Sequence, residues 1–170
     1  MNTLVSLTIL LVFATIAIAK DDAWFQDCLS SHNKFREGEQ KPALKEGQQL
    51  MEHAQKRVKQ LVESCKFDHN GNSGSGFGEN LYAGSGSLGA TCSRAVTNWY
   101  NEKQYYDKAN PGFSMKTGHY TQVVWKSTTE LGCAKGTYPI TKNCRMGGWT
   151  VVVCSYNPPG NYVGKYEQNV

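Results

Sequence analysis

The spacing of apolar residues changes character several times along this chain. Over 22–37, Phe25, Cys28, Leu29, His32 and Phe35 recur at three and four residues, which predicts one buried face of a helix with His32 packed or capped in the core. A linker with Pro42 follows. The same spacing returns over 46–64 in Met51, Ala54, Val58, Leu61 and Val62, a second helix, with His53 off the stripe and in solvent. Residues 67–78 show no period; they hold His69 and a glycine-rich run and read as a flexible loop, closed by a short extended segment over 79–83. A third helix is predicted over 90–107, with Ala95, Val96, Trp99 and Tyr106 on one side and Glu102 near that side. After a turn at Asn110-Pro111-Gly112-Phe113, the stretch 118–125 turns Tyr120, Val123 and Val124 inward on a short helix and leaves His119 at its mouth. Such a run ordinarily means a buried helix with one satisfied histidine. Finally, 131–138 and 149–156 are rich in β-favouring residues, with Met146-Gly147-Gly148-Trp149 as a tight connection. Helices, then strands with a helix between, fit a sheet flanked by helices, an α+β fold.

The start of the chain carries a different signal. Residues 1–19 have no charged side chain, 4–18 are mostly apolar, and Ala17-Ile18-Ala19 fits the small-residue cleavage rule. A secretory signal peptide over 1–19 is expected, leaving 20–170 as a single domain with no transmembrane segment. The formal net charge of +4 is mild and no run of Lys or Arg occurs, so nucleic acid is not an expected partner. Such a charge suits solubility or weak contact with anionic membranes. Six cysteines behind a signal peptide imply three disulfides, and fifteen pairings are open. No Gly-Lys-Ser/Thr follows the glycine-rich run, no Gly-x-Ser-x-Gly elbow occurs, and no His-Glu-x-x-His pair occurs. A phosphate-cradling loop and the common hydrolase motifs are therefore absent.

Two longer motifs sharpen the picture. Gly118-His119-Tyr120-Thr121-Gln122-Val123-Val124-Trp125, continuing through Lys126-Ser127-Thr128, resembles the first signature of the CAP superfamily. This superfamily comprises cysteine-rich secretory proteins, antigen five of venoms and class-one pathogenesis-related proteins. The run Val151 to Tyr162, through Cys154-Ser155-Tyr156-Asn157-Pro158-Pro159-Gly160-Asn161, resembles its second signature. The resemblance implies a disulfide-stabilised, three-layer α-β-α sandwich with an antiparallel sheet flanked by helices. It also implies a cavity of two histidines and two glutamates, carried here by His69, Glu79, Glu102 and His119. Neutral imidazoles bind zinc and other late divalent metals, and carboxylates ligate or support them, so Zn2+ is the expected ion.

The strands holding Cys133 and Cys154 are expected side by side, and a two-residue turn at Gly147-Gly148 sets Cys144 opposite Val151. That pairs Cys133 with Cys154 and leaves Cys144 for Cys65, pairings the resemblance also supports, with Cys28 and Cys92 joined by elimination. The functional expectation is a secreted extracellular binding or effector module, of defence, venom-allergen-like or host-interaction type, acting on an extracellular protein receptor. The resemblance adds sterol or fatty-acid binding. However, the loop 41–47 carries no aromatic residue, and Glu46 stands where yeast-type relatives have tryptophan. A hydrolase using histidine and glutamate as acid and base is the alternative reading, and catalysis is not expected.

Overall fold

The structure, a computed structural model, describes residues 23–85 and 91–170. The signal-peptide expectation lies outside the described residues. Helix α1 covers 23–38 and leads to a two-residue strand β1 (Lys45–Glu46). Helix α2 (Gln48–Ser64) follows, then a 3-10 turn at Asn70–Asn72 and strand β2 (Gly78–Gly84). Helix α3 (Cys92–Asn101) runs into a 3-10 turn at Glu102–Tyr105, earlier than the predicted helix end at 107. Helix α4 (Gly118–Val123), strands β3 (Glu130–Thr137) and β4 (Thr150–Asn157), and helix α5 (Tyr166–Asn169) complete the chain.

The strands form one sheet in the order β1-β3-β4-β2. β2, β4 and β3 are antiparallel, as expected, and the two-residue β1 makes the sheet mixed. β1 runs parallel to β3, with Lys45 N donating to Thr129 O and Gly47 N to Leu131 O. The segment between α1 and α2 meets the free edge of β3 in that direction, and two residues suffice to cover it. Both sheet faces are buried. Leu81, Ala134, Val151 and Val153 pack with Ala54, Val58 and Leu61 of α2. Leu131, Cys133, Val152, Cys154 and Tyr156 pack with Phe25, Trp99, Tyr120 and Val123 from α1, α3 and α4. This gives the three layers. Helix α2 lies directly on β3 at Gly132, where an added Cβ would stand 2.2 Å from the carbonyl carbon of Leu50.

The connection between β3 and β4 also departs from expectation. The ladder ends at Thr137 opposite Thr150, and residues 138–149 form a long connection rather than a two-residue turn. Its base is closed by Tyr138 N to Trp149 O and Gly148 N to Tyr138 O. Cys144 lies within this connection, bonded to Cys65 at the end of α2, so the segment is drawn across to α2 instead of folding back tightly. Cys133 bonds Cys154 across the ladder, and Cys28 bonds Cys92 between α1 and α3. The sulfurs of these last two bridges lie within 4.8 Å of one another in the core. Each bridge contributes about 2–4 kcal/mol by restricting the unfolded chain.

His32 is fully buried between α1 and the sheet. Its Nδ1 donates to Cys28 O at 2.7 Å, so the neutral ring accepts from the Tyr156 hydroxyl at Nε2, 2.8 Å away. Burial pushes its pKa down to about 4 from 6.5, against the helping carbonyl. Between those two pH values the unfolded chain binds the extra proton and the folded chain does not, so stability falls as the solution is acidified through that window. The shift corresponds to roughly 3 kcal/mol. Urea unfolding at pH 7 and pH 4 is expected to show the wild type losing more stability than His32→Gln by about that amount. Equal losses would assign the acid sensitivity to other groups.

Candidate functional site

The open edge of the sheet at β2 is where the candidate residues gather. Successive side chains of a strand point to opposite faces, and β2 uses both. Glu79 faces the α2 layer and holds His69, whose Nδ1 lies 2.9 Å from Glu79 Oε1. Asn80 faces the opposite layer and donates from Nδ2 to the carbonyl of His119 at 3.1 Å. His69 and His119 line one cavity of about 260 Å³, together with Asn72, Glu79, Asn80 and Asn161. Phe113 and Met115 stand at its rim, both largely exposed.

His119 is placed by Glu102. Thr117 occupies the N-cap position of α4 but provides no side-chain cap. Glu102 takes that role: its Oε2 accepts from the backbone N–H groups of His119 and Tyr120, at 3.0 and 3.2 Å. Free N–H groups at a helix start attract a carboxylate. The other oxygen, Oε1, lies 2.7 Å from His119 Nδ1. The indole of Trp99 stacks on the imidazole with centroids 6.2 Å apart, and its own N–H is held by Leu81 O. The expected placement of Glu102 near the Trp99 face is therefore what lets one residue start α4 and orient His119.

Glu79 is more tightly held. Its side chain is fully buried and meets Arg57, itself buried, through Nε to Oε2 at 2.6 Å and Nη2 to Oε1 at 3.3 Å. Arg57 also donates to Asp68 O at 2.9 Å, one residue before His69. Its guanidinium lies against the backbone of Gly71, where a Cβ would stand 2.0 Å from Nη1. Arg57 belongs to neither of the two long motifs. The signal was present: Arg57 falls three residues after Ala54 and four before Leu61, on the same face of α2.

The structure brings the four predicted residues together as two His–Glu pairs around one cavity. Among the described residues, the three-or-more grouping of candidate ligand atoms consists of Cys28, Cys92, Cys133 and Cys154, all consumed by disulfides. Both glutamates sit behind the imidazoles on Nδ1. Each Nε2 is then the nitrogen left for a ligand in the cavity, and a carboxylate on the far ring nitrogen fixes the tautomer and ring orientation as it does in metal sites. Imidazole nitrogens are a donor type that late divalent ions take.

Other expected positions resolve differently. His53 is half-buried rather than solvated: its Nδ1 lies 2.9 Å from Ser155 Oγ and its ring meets the edge of Phe77. In the loop 41–47, Leu44 is buried in the core and Glu46 is exposed on β1, so that loop turns no apolar anchor outward.

The sequence model of the cysteine-rich secretory protein family, CAP, matches residues 29–156. The chain belongs to the CAP family. Pathogenesis-related protein 1C of Nicotiana tabacum is 39% identical over 142 residues, which cover 82% of this chain and 78% of that protein. Among solved structures, BmVAL-1 is similar with a TM-score of 0.63 at 28% identity, covering 81% of this chain and 78% of that one. NaASP2, solved with Zn2+, has a TM-score of 0.59 at 25% identity, covering 84% and 83%. Within the CAP domain of this chain, α4 and β4 carry the two motifs noted above, and all four cavity residues lie inside the matched range.

Proposed function

We propose that this CAP protein acts outside the cell as a binding module of the defence or venom-allergen-like kind, and that its cavity holds a divalent cation, zinc first. The observation that carries this reading is the pair of imidazoles facing one cavity, each with Nδ1 engaged by a glutamate. His69 and His119 would hold the ion, with Glu79 and Glu102 setting their rings. An ion held by two imidazoles keeps open positions where a carboxylate or carbonyl of a binding partner can enter. The relative solved with Zn2+ and the three disulfides, which suit an oxidising compartment, support the same reading.

A serine hydrolase would need an accessible nucleophile. The serine hydroxyl bonded to an imidazole among the described residues is Ser155 on His53, and Ser155 is fully buried in β4. That disfavours a serine-based mechanism.

Zinc calorimetry on the wild type, His69→Ala and His119→Ala tests the reading. Removing either imidazole is expected to weaken binding more than about 100-fold, beyond the 10–100-fold typical of losing a supporting carboxylate. Binding should also weaken in acid, because ligating imidazoles must be neutral. Equal affinity in all three proteins would reduce the four residues to a polar network.

A further inference from the structure

A second surface, away from the cavity, combines apolar exposure with unpaired positive charge. An open groove of about 740 Å³ is lined by Pro42, Trp125, Tyr162 and Val163, with Lys126 and Lys165 beside them. Val163 is 90% exposed and Tyr162 57%, neighbours in the segment between β4 and α5. The fold leaves these two side chains in water, whereas Trp125 of the same groove is buried.

Two lysines, Lys126 and Lys165, line the groove, and Lys41 is next in sequence to its Pro42. Burial lowers the Lys41 pKa, nearby Glu39 opposes that, and Lys126, Lys108 and Arg36 lower it further, so these cations stand close enough to repel. Glu39, the acid facing Lys41, is already engaged by Lys103 and Tyr100. Glu167 on α5 is the acid adjoining Lys165, and it is exposed. Among the described residues, none of Lys41, Lys108, Lys126 and Lys165 forms an ion pair with a carboxylate.

We infer that this face docks on an anionic lipid bilayer, with Tyr162 and Val163 entering the interface and Lys41, Lys126 and Lys165 meeting the headgroups. Charge complementarity selects this occupant. A cluster of lysines near an anionic surface gains about fivefold in partitioning per residue, and the gain is screened by salt. A tyrosine beside an exposed aliphatic side chain suits the boundary between headgroup and acyl chain. The inference is independent of the cation site, since no residue of the cavity takes part.

Co-sedimentation with phosphatidylcholine vesicles, with and without phosphatidylserine, tests it. The wild type is expected to bind only the phosphatidylserine vesicles and to be released by salt. Lys126→Glu/Lys165→Glu should lose binding by about 25-fold or more, and Val163→Asp should weaken it without changing the lysines. Lys56→Glu/Lys59→Glu, an equal charge change on the exposed face of α2, should retain most binding, and His119→Ala all of it. No phosphatidylserine-dependent binding of the wild type would overturn the inference. So would equal losses in the two double variants, which would reduce the effect to net charge.

Discussion

Replacing Arg36 with leucine is expected to lower the unfolding free energy by about 3–4 kcal/mol, one of the two largest single-residue effects in this domain. Arg36 is fully buried, and among the described residues no carboxylate pairs with it. Its guanidinium donates instead to four backbone carbonyls: Pro42 O from Nε, Val123 O and Trp125 O from Nη1, and Thr128 O from Nη2, at 2.8–3.0 Å. Two of those carbonyls belong to the end of α4 and the residues just past it, where helix carbonyls lack partners and a cation is favoured. Burial pushes the Arg36 pKa down to about 10, so the side chain stays charged at neutral pH. Leucine removes all four donors; Trp125 O keeps the Thr128 N–H, while the other three carbonyls lose the Arg36 donor at about 1–3 kcal/mol each, partly offset by no longer burying a charge. Arg36→Lys keeps the charge but not the fork, and its loss should fall between the two. Urea unfolding of the three proteins measures this. A loss under about 1 kcal/mol for the leucine variant would mean that water enters and satisfies the carbonyls.

Arg57→Met is expected to cost about 3–5 kcal/mol, for a different reason. Here the substitution strands a charge. Glu79 has no exposed side-chain surface, and without Arg57 its carboxylate keeps only the His69 ring. The double variant Arg57→Met/Glu79→Gln removes both charges and should recover a large part of the loss, giving a coupling energy above about 1 kcal/mol in the double-mutant cycle. Because Arg57 also grips Asp68 O and packs against Gly71, the single variant should loosen the His69 segment and weaken zinc binding along with stability. His119 sits on a separate Glu102 support and should keep its geometry. Strictly additive losses would show that Arg57 and Glu79 do not depend on each other.

The two arginines also mark how far the sequence could be read. In α1, the fully buried positions Phe25, Cys28, His32 and Arg36 continue a single helical stripe. The apolar part of that stripe is legible in the sequence, whereas nothing local marks Arg36, one turn after His32, as a buried charge. The same holds for Arg57 on α2. Periodicity states which face is buried, but it is silent on whether a charge on that face will find partners. Those partners came from Val123, Trp125 and Glu79, far away in sequence and invisible until the layers were stacked.

By itself, then, the sequence determined the helical faces, the two strands around Cys133 and Cys154, and the CAP family through its two motifs. These rest on local spacing or on long contiguous matches. The tertiary structure decided what depends on distant segments meeting. It added β1 in parallel to the sheet edge and drew the Cys144 connection across to α2. It also split the tetrad into two His–Glu pairs, each glutamate consumed by its own supports: Arg57 for Glu79, the α4 backbone for Glu102. A carboxylate's role follows from which donors reach it first, and only the packed layers fix that.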